Sequence, residues 1–135
     1  MRSKSSLRAR LQSPQILVLP GAADALTARI VEECGFDAVY VTGAGIANAL
    51  LGAPDVGLVT LTEAVEQVRR IANAVSLPIL ADADTGFGGV HNVQRTVREF
   101  EQAGASGIHL EDQVMPKRCG HFDGKEVVSP TEMLQ

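Results

Sequence analysis

The sequence predicts an α/β fold with about four parallel strands, corresponding to the N-terminal half of a (β/α)8 TIM barrel. Short apolar runs alternate with helical patterns at intervals of about 30 residues, which is typical of βα units in a parallel sheet. The competing architecture is the doubly wound open sheet, but no G-x-G-x-x-G motif follows the first apolar run. A complete barrel needs about 250 residues, and this chain has 135. We therefore expect one incomplete domain over residues 1–135, with strands 1–4 and the loop after strand 4.

The first half of the chain contains two predicted helices and two predicted strands. The strands are aliphatic runs bounded by turn residues, and the helices carry apolar residues at helical spacing. In order, these elements are a helix over residues 3–12, a buried strand over 16–19 closed by Pro20-Gly21, a helix from Asp24 to Cys34 with Leu26, Ile30 and Val31 on one face, and a strand over 38–41. Gly35 is expected to end the second helix. Cys34 and Tyr40 are expected in the core.

The second half begins with a long loop, rich in Gly and Ala, over residues 42–60. The elements after it follow the same alternation of strand and helix. They are a helix opened by Thr62 with Val65, Val68, Ile71 and Ala72 on one face, a strand over 78–81, a helix from Asn92 to Ala103 ended by Gly104, a strand over 107–110 and a polar loop over 111–128. Ser129 and Pro130 are expected to start a further helix.

Composition restricts the function classes. The chain is 45% hydrophobic and 21% charged, which is typical of a soluble globular protein. Its net charge of −4 gives no electrostatic case for binding nucleic acid, which usually requires a basic face. No apolar stretch approaches the roughly 20 residues that span a bilayer, and no apolar segment follows the basic residues at the start. The two cysteines lie far apart and do not suggest a disulfide framework, so we expect a cytoplasmic protein.

Acidic residues follow the predicted strands, where α/β proteins place their sites. Asp82 and Asp84 are two residues apart in an extended segment, so their side chains are expected on the same side. Two such carboxylates repel each other unless a cation lies between them, and Mg²⁺, or Mn²⁺ as an alternative, prefers oxygen ligands. A D-x-D pair alone also occurs in helix caps and solvated loops. Asp55 and Glu111 at equivalent strand-end positions favour the metal site.

A second candidate group is the run Lys117-Arg118-Cys119-Gly120-His121. Neighbouring cations lower the pKa of a thiol, which makes Cys119 a competent proton donor near neutral pH. The alternatives are an incidental surface cysteine or half of a zinc site, which would need further ligands. Lys117 and Arg118 could bind substrate carboxylates, or belong to a solvated basic loop. His109, in the fourth strand, is compatible with a structural or a functional role.

Four motifs together resemble the isocitrate lyase/phosphoenolpyruvate mutase superfamily, most closely its 2-methylisocitrate lyase and dimethylmalate lyase-like members. The resemblance extends from about Pro20 to Glu132. The motifs are Tyr40-Val41-Thr42-Gly43-Ala44-Gly45, Pro54-Asp55-Val56-Gly57, Asp82-Ala83-Asp84-Thr85-Gly86-Phe87-Gly88, and Glu111-Asp112-Gln113 followed by Lys117-Arg118-Cys119-Gly120-His121. The last two, in this order and spacing, are highly specific.

The resemblance implies a (β/α)8 barrel that assembles as a homo-tetramer, with Mg²⁺ near Asp82 and Asp84. Asp55 and Glu111 would lie nearby, partly linked to the metal through water. The loop bearing Cys119 would close over the site, and this thiol would protonate the enolate-like product of carbon–carbon cleavage. The resemblance further assigns catalytic roles to Lys117, Arg118, Cys119 and His121, and substrate contacts to Thr42, Gly43, Ala44, Arg118, Gly120 and His121.

The expected function is therefore Mg²⁺-dependent cleavage of a 2-hydroxy di- or tricarboxylate to pyruvate, or another α-keto acid, and a carboxylate. Methylisocitrate lyases typically carry Ser-Gly-Gly where this chain has Thr42-Gly43-Ala44, which weakens methylisocitrate relative to other substrates. Phosphonate-metabolising phosphomutases of the superfamily lack the cysteine, so Cys119 favours a lyase. A phosphomutase, an oxaloacetate decarboxylase and an inactive half-barrel fragment are the alternatives. The base that takes the hydroxyl proton is not identifiable in this half.

Overall fold

A computed structural model describes residues 6–134 and contains a four-stranded sheet in the order β1-β2-β3-β4, with every pair parallel. The prediction of an α/β fold with four parallel strands is therefore confirmed. The strands are β1 (Gly21–Ala22), β2 (Val39–Val41), β3 (Ile79–Asp82) and β4 (Gly107–His109). The helices are α1 (Leu7–Leu11), α2 (Ala25–Glu33), α3 (Gly43–Ile46), which continues into a π-helical turn over Ala47–Leu51, α4 (Leu61–Ala74), α5 (Val90–Ala103) and α6 (Pro130–Met133).

The two faces of the sheet have different surroundings. Val39, Val41, Ile79 and Ala81 are buried against the helices, together with Phe100 of α5. Because side chains alternate along a strand, the residues between them lie on the opposite face. That second face carries Tyr40 and Leu80, which are register partners, and Asp82 and His109, which form the next pair. The polar side chains of the sheet therefore share one face, and the helix-facing core is apolar.

Helix α4 begins at a capping box. The Thr60 hydroxyl accepts a hydrogen bond from the Glu63 N–H, and the Glu63 carboxylate accepts one from the Thr60 N–H at 2.8 Å. Such reciprocal bonds satisfy two backbone donors that a helix start leaves free. The helix is therefore capped by Thr60, two residues before the predicted start at Thr62. Gly104 ends α5 with a φ of 104°, a conformation that favours glycine.

The prediction of a first strand over residues 16–19 is wrong. Ile16 is 90% exposed and Val18 is 56% exposed, and the first strand lies at Gly21–Ala22. Its partner β2 begins at Val39, and the Tyr40 and Thr42 amides donate to the Pro20 and Ala22 carbonyls, so the pairing starts after residues 16–19. Pro20 therefore leads into the strand, and Gly21 is its first residue.

The predicted core face of the second helix is also wrong in part. Leu26 is 72% exposed and Ile30 is 55% exposed, whereas Ala28 and Val31 are buried. Residues two positions from Ala28 point about 200° away around a helix axis, so the small Ala28 faces the sheet and the larger side chains face outward. Cys34 caps the end of this helix and is exposed, which corrects its predicted place in the core.

Residues 42–60 are less irregular than predicted. Thr42 caps the start of α3 by accepting the Gly45 N–H at 3.2 Å, and Gly52 ends the π-helical turn in a left-handed conformation. At the N-terminus, α1 begins at Leu7 with Ser6 as its cap, and residues 3–5 of the predicted first helix lie outside the described residues. Over residues 6–134, the structure contains no helix with the length and apolarity to cross a membrane.

Candidate active site

Asp82 ends β3 with both carboxylate oxygens held by backbone donors. The Gly43 N–H donates to Oδ2 at 3.2 Å, and the Asp84 N–H donates to Oδ1 at 2.9 Å. Residue 43 must approach closely to make its bond, since a Cβ there would lie 2.9 Å from Asp82 Oδ2. The start of α3 thus fixes the orientation of the Asp82 carboxylate.

Asp84 lies on the tight turn after β3 in a left-handed conformation, with a φ of 53°. Its Oδ1 accepts the Thr85 N–H at 2.8 Å, and its backbone carbonyl accepts the Glu111 N–H at 2.9 Å. Aspartate tolerates this conformation better than most side chains, but it remains uncommon away from glycine and clusters at functional sites. The backbone bond joins the loops after β3 and β4, so these two acidic residues belong to one edge of the sheet.

Lys117 reaches this edge from the loop after β4. Its side chain is 1% exposed, and its Nζ donates to Asp55 Oδ1 at 2.5 Å and lies 3.2 Å from Asp84 Oδ2. Burial lowers the pKa of this lysine, but the carboxylates of Asp55 and Asp84 outweigh that effect and raise the pKa above its ordinary value. The lysine therefore acts as a counter-ion for two of the four predicted metal-binding acids.

The pKa values of Asp84 and Glu111 reflect their burial and the charges around them. Burial raises the pKa of Asp84, even though Lys117 opposes the shift. Burial also raises the pKa of Glu111, with further contributions from the neighbouring Asp82 and Asp84. Like charges disfavour ionisation, and the opposing effect of Lys117 does not reverse the upward shift of the Glu111 pKa.

Tyr40 was predicted in the core, and the structure places it at this site. Its hydroxyl lies 3.3 Å from His109 Nδ1. Burial raises its pKa well above the usual value, with additional contributions from Asp82, Glu111 and Asp55. His109 lies on the same face of the sheet, beside its register partner Asp82. Strand alternation could have found Tyr40, because its register partner Leu80 lies two residues before Asp82.

The donor set suits a hard divalent cation, since four carboxylates face one ammonium. Over residues 6–134, however, no three acidic, histidine or cysteine side chains already converge on one point at metal-binding distance. Mg²⁺ commonly takes only one or two protein carboxylates and keeps several waters. Asp82 and Asp84 therefore fit such an ion as direct ligands, and Asp55 and Glu111 fit as partners of its waters.

The loop over residues 111–128 carries the predicted thiol acid. Cys119 is half-buried, and its Sγ lies 3.5 Å from His121 Nδ1. Gln113 fastens this loop by accepting the Arg118 N–H at 3.1 Å and donating to the Arg118 carbonyl at 2.8 Å. Sequence reasoning did not identify this role of Gln113. The Arg118 guanidinium donates to the Asp123 carbonyl, and Arg118, Gly120 and His121 are exposed.

Two cavities adjoin these residues. A groove of about 610 Å³ runs beside β4, with Thr85, Glu111, Gln113 and Met133 among its lining residues. A smaller cavity of about 10 Å³ is lined by Asp55, Asp82 and Asp84 together with apolar residues that include Val59 and Phe87. That is close to the least volume that holds one water molecule. The larger open space therefore lies next to Glu111, and the smaller one lies beside the other three acids.

Comparison with known proteins shows that residues 7–135 match the family described as phosphoenolpyruvate phosphomutase. The chain is 52% identical over 134 residues to 2,3-dimethylmalate lyase of Eubacterium barkeri, covering 99% of this chain and 46% of that protein. It is 54% identical over 132 residues to probable 2-methylisocitrate lyase 2 of Corynebacterium glutamicum, covering 98% and 43%. The chain thus spans about half the length of the curated relatives it matches.

Solved structures give the same relationship. An oxaloacetate acetylhydrolase in complex with the inhibitor 3,3-difluorooxalacetate superposes with a TM-score of 0.91 at 43% identity, covering 96% of this chain and 44% of that one. A phosphonopyruvate hydrolase in complex with oxalate and Mg²⁺ superposes with a TM-score of 0.83 at 36% identity, covering 93% and 42%. Both neighbours are TIM-barrel-like, which confirms the predicted fold class.

Proposed function

This chain belongs to the phosphoenolpyruvate mutase/isocitrate lyase superfamily, and from that premise we propose that it carries part of the active site of a Mg²⁺-dependent carbon–carbon lyase. The substrate would be a 2-hydroxy di- or tricarboxylate, and the products pyruvate or another α-keto acid and a second carboxylate. The observation that carries the proposal is the loop over residues 111–128. It places Lys117 among the carboxylates and Cys119 beside His121.

The metal would be held by Asp82 and Asp84, with Asp55 and Glu111 acting through water. When bound, Mg²⁺ or Mn²⁺ supplies positive charge for the hydroxyl and carboxylate oxygens of the substrate and for the charge that develops during cleavage. The oxygen-only donor set and its excess negative charge support this assignment. The phosphonopyruvate hydrolase with oxalate and Mg²⁺ supports it as well, because its TM-score to this chain is 0.83.

The chain's own groups would act on the carbanion that forms when the carbon–carbon bond is cleaved. Once a base takes the hydroxyl proton, the C–O bond becomes a carbonyl, and the electron pair of the cleaved carbon–carbon bond passes to the departing carboxylate as an enolate. The Cys119 thiol then gives its proton to the enolate carbon, and the resulting thiolate lies next to the His121 ring. A positioned general acid of this kind contributes about 10²–10⁴-fold to the rate.

Substrate carboxylates would be bound by the start of α3 and by the loop. We propose contacts from Thr42, Gly43 and Ala44 and from Arg118, Gly120 and His121. The Thr42 hydroxyl and the Gly43 N–H already bond within the protein, so their contribution is the shape of the turn. The relatives named for 2,3-dimethylmalate and 2-methylisocitrate define the first substrates to assay, and the structural neighbour named for oxaloacetate adds a third.

The experiment compares the protein with two cysteine variants in the presence of Mg²⁺. Pyruvate release is followed with 2,3-dimethylmalate and 2-methylisocitrate, pyruvate and acetate release with oxaloacetate, and turnover with phosphonopyruvate. We expect keto-acid release from a hydroxy acid, and a loss of about 10²-fold or more in Cys119→Ser. Cys34→Ser is the matched control, because Cys34 is exposed at the end of α2 and should leave the rate unchanged.

Other results would support the alternatives. Unchanged turnover by Cys119→Ser would remove the thiol from the mechanism. Turnover of phosphonopyruvate with none of the hydroxy acids would favour phosphonate chemistry, and turnover of oxaloacetate alone would favour that substrate. If the wild-type chain turns over none of the compounds, an inactive half-barrel becomes the better description of the chain by itself.

A further inference from the structure

Gln113 lies at the neck of the loop over residues 111–128. The neck is a short antiparallel ribbon in which Gln113 is bridged to Val127. A backbone hydrogen bond of 2.8 Å lies on each side of that pair and joins the same two segments, 112–114 and 126–128. These bonds hold the backbone of Gln113 in place, so its half-buried side chain projects from an ordered segment.

The side-chain amide of Gln113 makes three hydrogen bonds. Its Nε2 donates to Glu111 Oε2 at 2.7 Å and to the Arg118 carbonyl at 2.8 Å, and its Oε1 accepts the Arg118 N–H at 3.1 Å. A primary amide has two N–H donors, so both are in use. Turning the amide over would bring its oxygen against a carboxylate and a carbonyl, and its N–H groups against the Arg118 N–H. The partners therefore accept a single orientation of the amide.

The bonds to Arg118 restrict the position of Cys119. The Arg118 carbonyl belongs to the peptide unit that ends at the Cys119 Cα, and the atoms of a peptide unit lie in one plane. A donor that holds this carbonyl therefore also holds the Cα from which the thiol projects. Only rotation about the Cα–Cβ bond is then left to place the sulfur.

The bond to Glu111 joins the same amide to the acids at the sheet edge. The Glu111 backbone is anchored there, because its N–H donates to the Asp84 carbonyl at 2.9 Å. Hydrogen bonds to a carboxylate are shorter and stronger than those between neutral groups, and the bond to Glu111 is the shortest of the three that the amide makes. The contacts thus run from Glu111 through Gln113 to the backbone that carries the thiol.

The loop has a second attachment next to this one. Lys117 pairs with Asp55 and Asp84, one residue before the backbone that Gln113 holds. Because that ion pair stays in place when residue 113 is changed, a variant of Gln113 keeps the loop attached to the acids. Such a variant tests the orientation of Cys119 rather than the presence of the loop.

We propose that Gln113 is a positioning residue that sets the Cys119 thiol in a fixed place relative to the Glu111 carboxylate. Because Cys119 is taken as the acid that protonates the enolate, this role rests on the proposed function. A general acid acts only within hydrogen-bond reach of its target, and a misplacement of about 1 Å can lower a rate about 10²-fold. Gln113 would act on the reaction through Arg118 and Cys119.

The test measures alkylation of Cys119 by iodoacetamide in a Cys34→Ser background, where one thiol remains. No metal or substrate is added. Rates are compared at the upper limit of the pH profile, where the thiol is fully ionised and the rate reports access rather than pKa. Gln113→Met keeps the length of the side chain and removes all three hydrogen bonds. We expect it to raise the rate about fivefold or more, the effect of losing at least one ordinary hydrogen bond.

An isosteric variant distinguishes hydrogen bonding from the filling of space. Gln113→Glu keeps the outline of the side chain but places a carboxylate against Glu111 and the Arg118 carbonyl. It should raise the alkylation rate at least as much as Gln113→Met, whereas a residue that only fills space would tolerate it. Gln102→Met is the matched control, because Gln102 is exposed on α5 and its replacement should leave the rate unchanged. Far-ultraviolet circular dichroism checks that each variant is folded.

A double-mutant cycle tests the link to the acid. Glu111→Ala removes the acceptor of one Gln113 N–H, so it should raise the alkylation rate when Gln113 is present. In the Gln113→Met protein the same change should add less than about twofold, which is the usual scatter between independent sites. A full effect of Glu111→Ala in both backgrounds would overturn the inference.

A further readout uses the unaltered chain, so it does not depend on any variant folding. In nuclear magnetic resonance, the Nε2 protons of Gln113 should exchange with water more slowly than those of Gln102. Equal exchange at the two residues contradicts the three hydrogen bonds on which the inference depends. An alkylation rate that neither Gln113→Met nor Gln113→Glu changes would overturn it as well.

Turnover separates the inference from the proposed function. If the chain cleaves a hydroxy acid and Cys119→Ser inactivates it, Gln113→Met should lower kcat about tenfold or more, and an unchanged kcat would contradict the positioning role. Alkylation needs no turnover. Coupled alkylation rates in a chain that cleaves none of the compounds would therefore support the link from Glu111 to Cys119 and contradict only the proposed function.

Discussion

Replacing Gly43 with alanine tests the contact that orients Asp82. The added Cβ would lie 2.9 Å from Asp82 Oδ2 and 3.1 Å from its Cγ, whereas ordinary contacts begin at 3.4 Å, so the carboxylate must move by about 0.5 Å. It cannot do so freely, because its other oxygen accepts the Asp84 N–H at 2.9 Å. Loss of the Gly43 hydrogen bond to this charged acceptor costs about 1.5–3 kcal/mol. Alanine recovers about 0.4–1 kcal/mol by restricting the unfolded chain.

The expected net loss for Gly43→Ala is therefore about 1–2 kcal/mol in the free energy of unfolding. Urea unfolding followed by far-ultraviolet circular dichroism measures this difference directly. Gly120→Ala is the control, because no atom lies within 4 Å of a Cβ at that position, and its change should stay within about 0.5 kcal/mol. A Gly43→Ala protein as stable as the control would refute the close approach between α3 and Asp82.

Two further predictions concern ionisation. Tyr40 is the only tyrosine and the chain has no tryptophan, so absorbance at 295 nm follows the ionisation of this one side chain. We expect its pKa to lie above the usual value of about 10 in the folded protein and near that value in guanidinium. Because burial and Asp82 raise this pKa, stability should fall as the pH rises above about 10, and a normal folded titration would contradict the assignment. Hydrogen bonds from the Thr60 N–H and hydroxyl lower the pKa of Glu63, so its stabilising contribution is present above its unfolded pKa and is lost as the pH falls through the folded one. Glu63→Gln should therefore be less stable than wild type at neutral pH in urea unfolding, with the difference disappearing in acid, and a constant difference would argue against the ionised cap.

The alternation of elements could be predicted because it depends on local sequence. The apolar runs at Val39–Val41 and Ile79–Asp82 predict strands regardless of their neighbours, and Gly104 ends a helix by its own conformational freedom. The prediction of a strand at residues 16–19 was wrong because the burial of an apolar run depends on whether a neighbouring strand pairs with it. The three residues of β2 reach only as far as Pro20.

The acidic residues of the candidate site could be predicted from the sequence, but the ion pairs that they form with Lys117 could not. Asp82 and Asp84 follow a strand in the sequence, so their place at the sheet edge follows from topology. The ion pair of Lys117 with Asp55 joins residues 62 positions apart, and no local pattern encodes it. Tyr40 was missed because an aromatic residue in a strand more often belongs to a core, and only the register with β3 shows which face it occupies.

The backbone bond from the Glu111 N–H to the Asp84 carbonyl has a consequence for the order of folding. It closes a loop of only 27 residues (111 minus 84) and continues the register of β3 with β4. Loop-closure entropy grows slowly with length and contacts of short sequence separation form early. The loops that carry Asp84 and Glu111 should therefore come together as soon as β3 and β4 pair. The contact between these two loops should then form early in folding. Transition-state measurements should then give higher values for contacts between β3 and β4 than for contacts between β2 and β3, where the partners Val39 and Ile79 lie 40 positions apart.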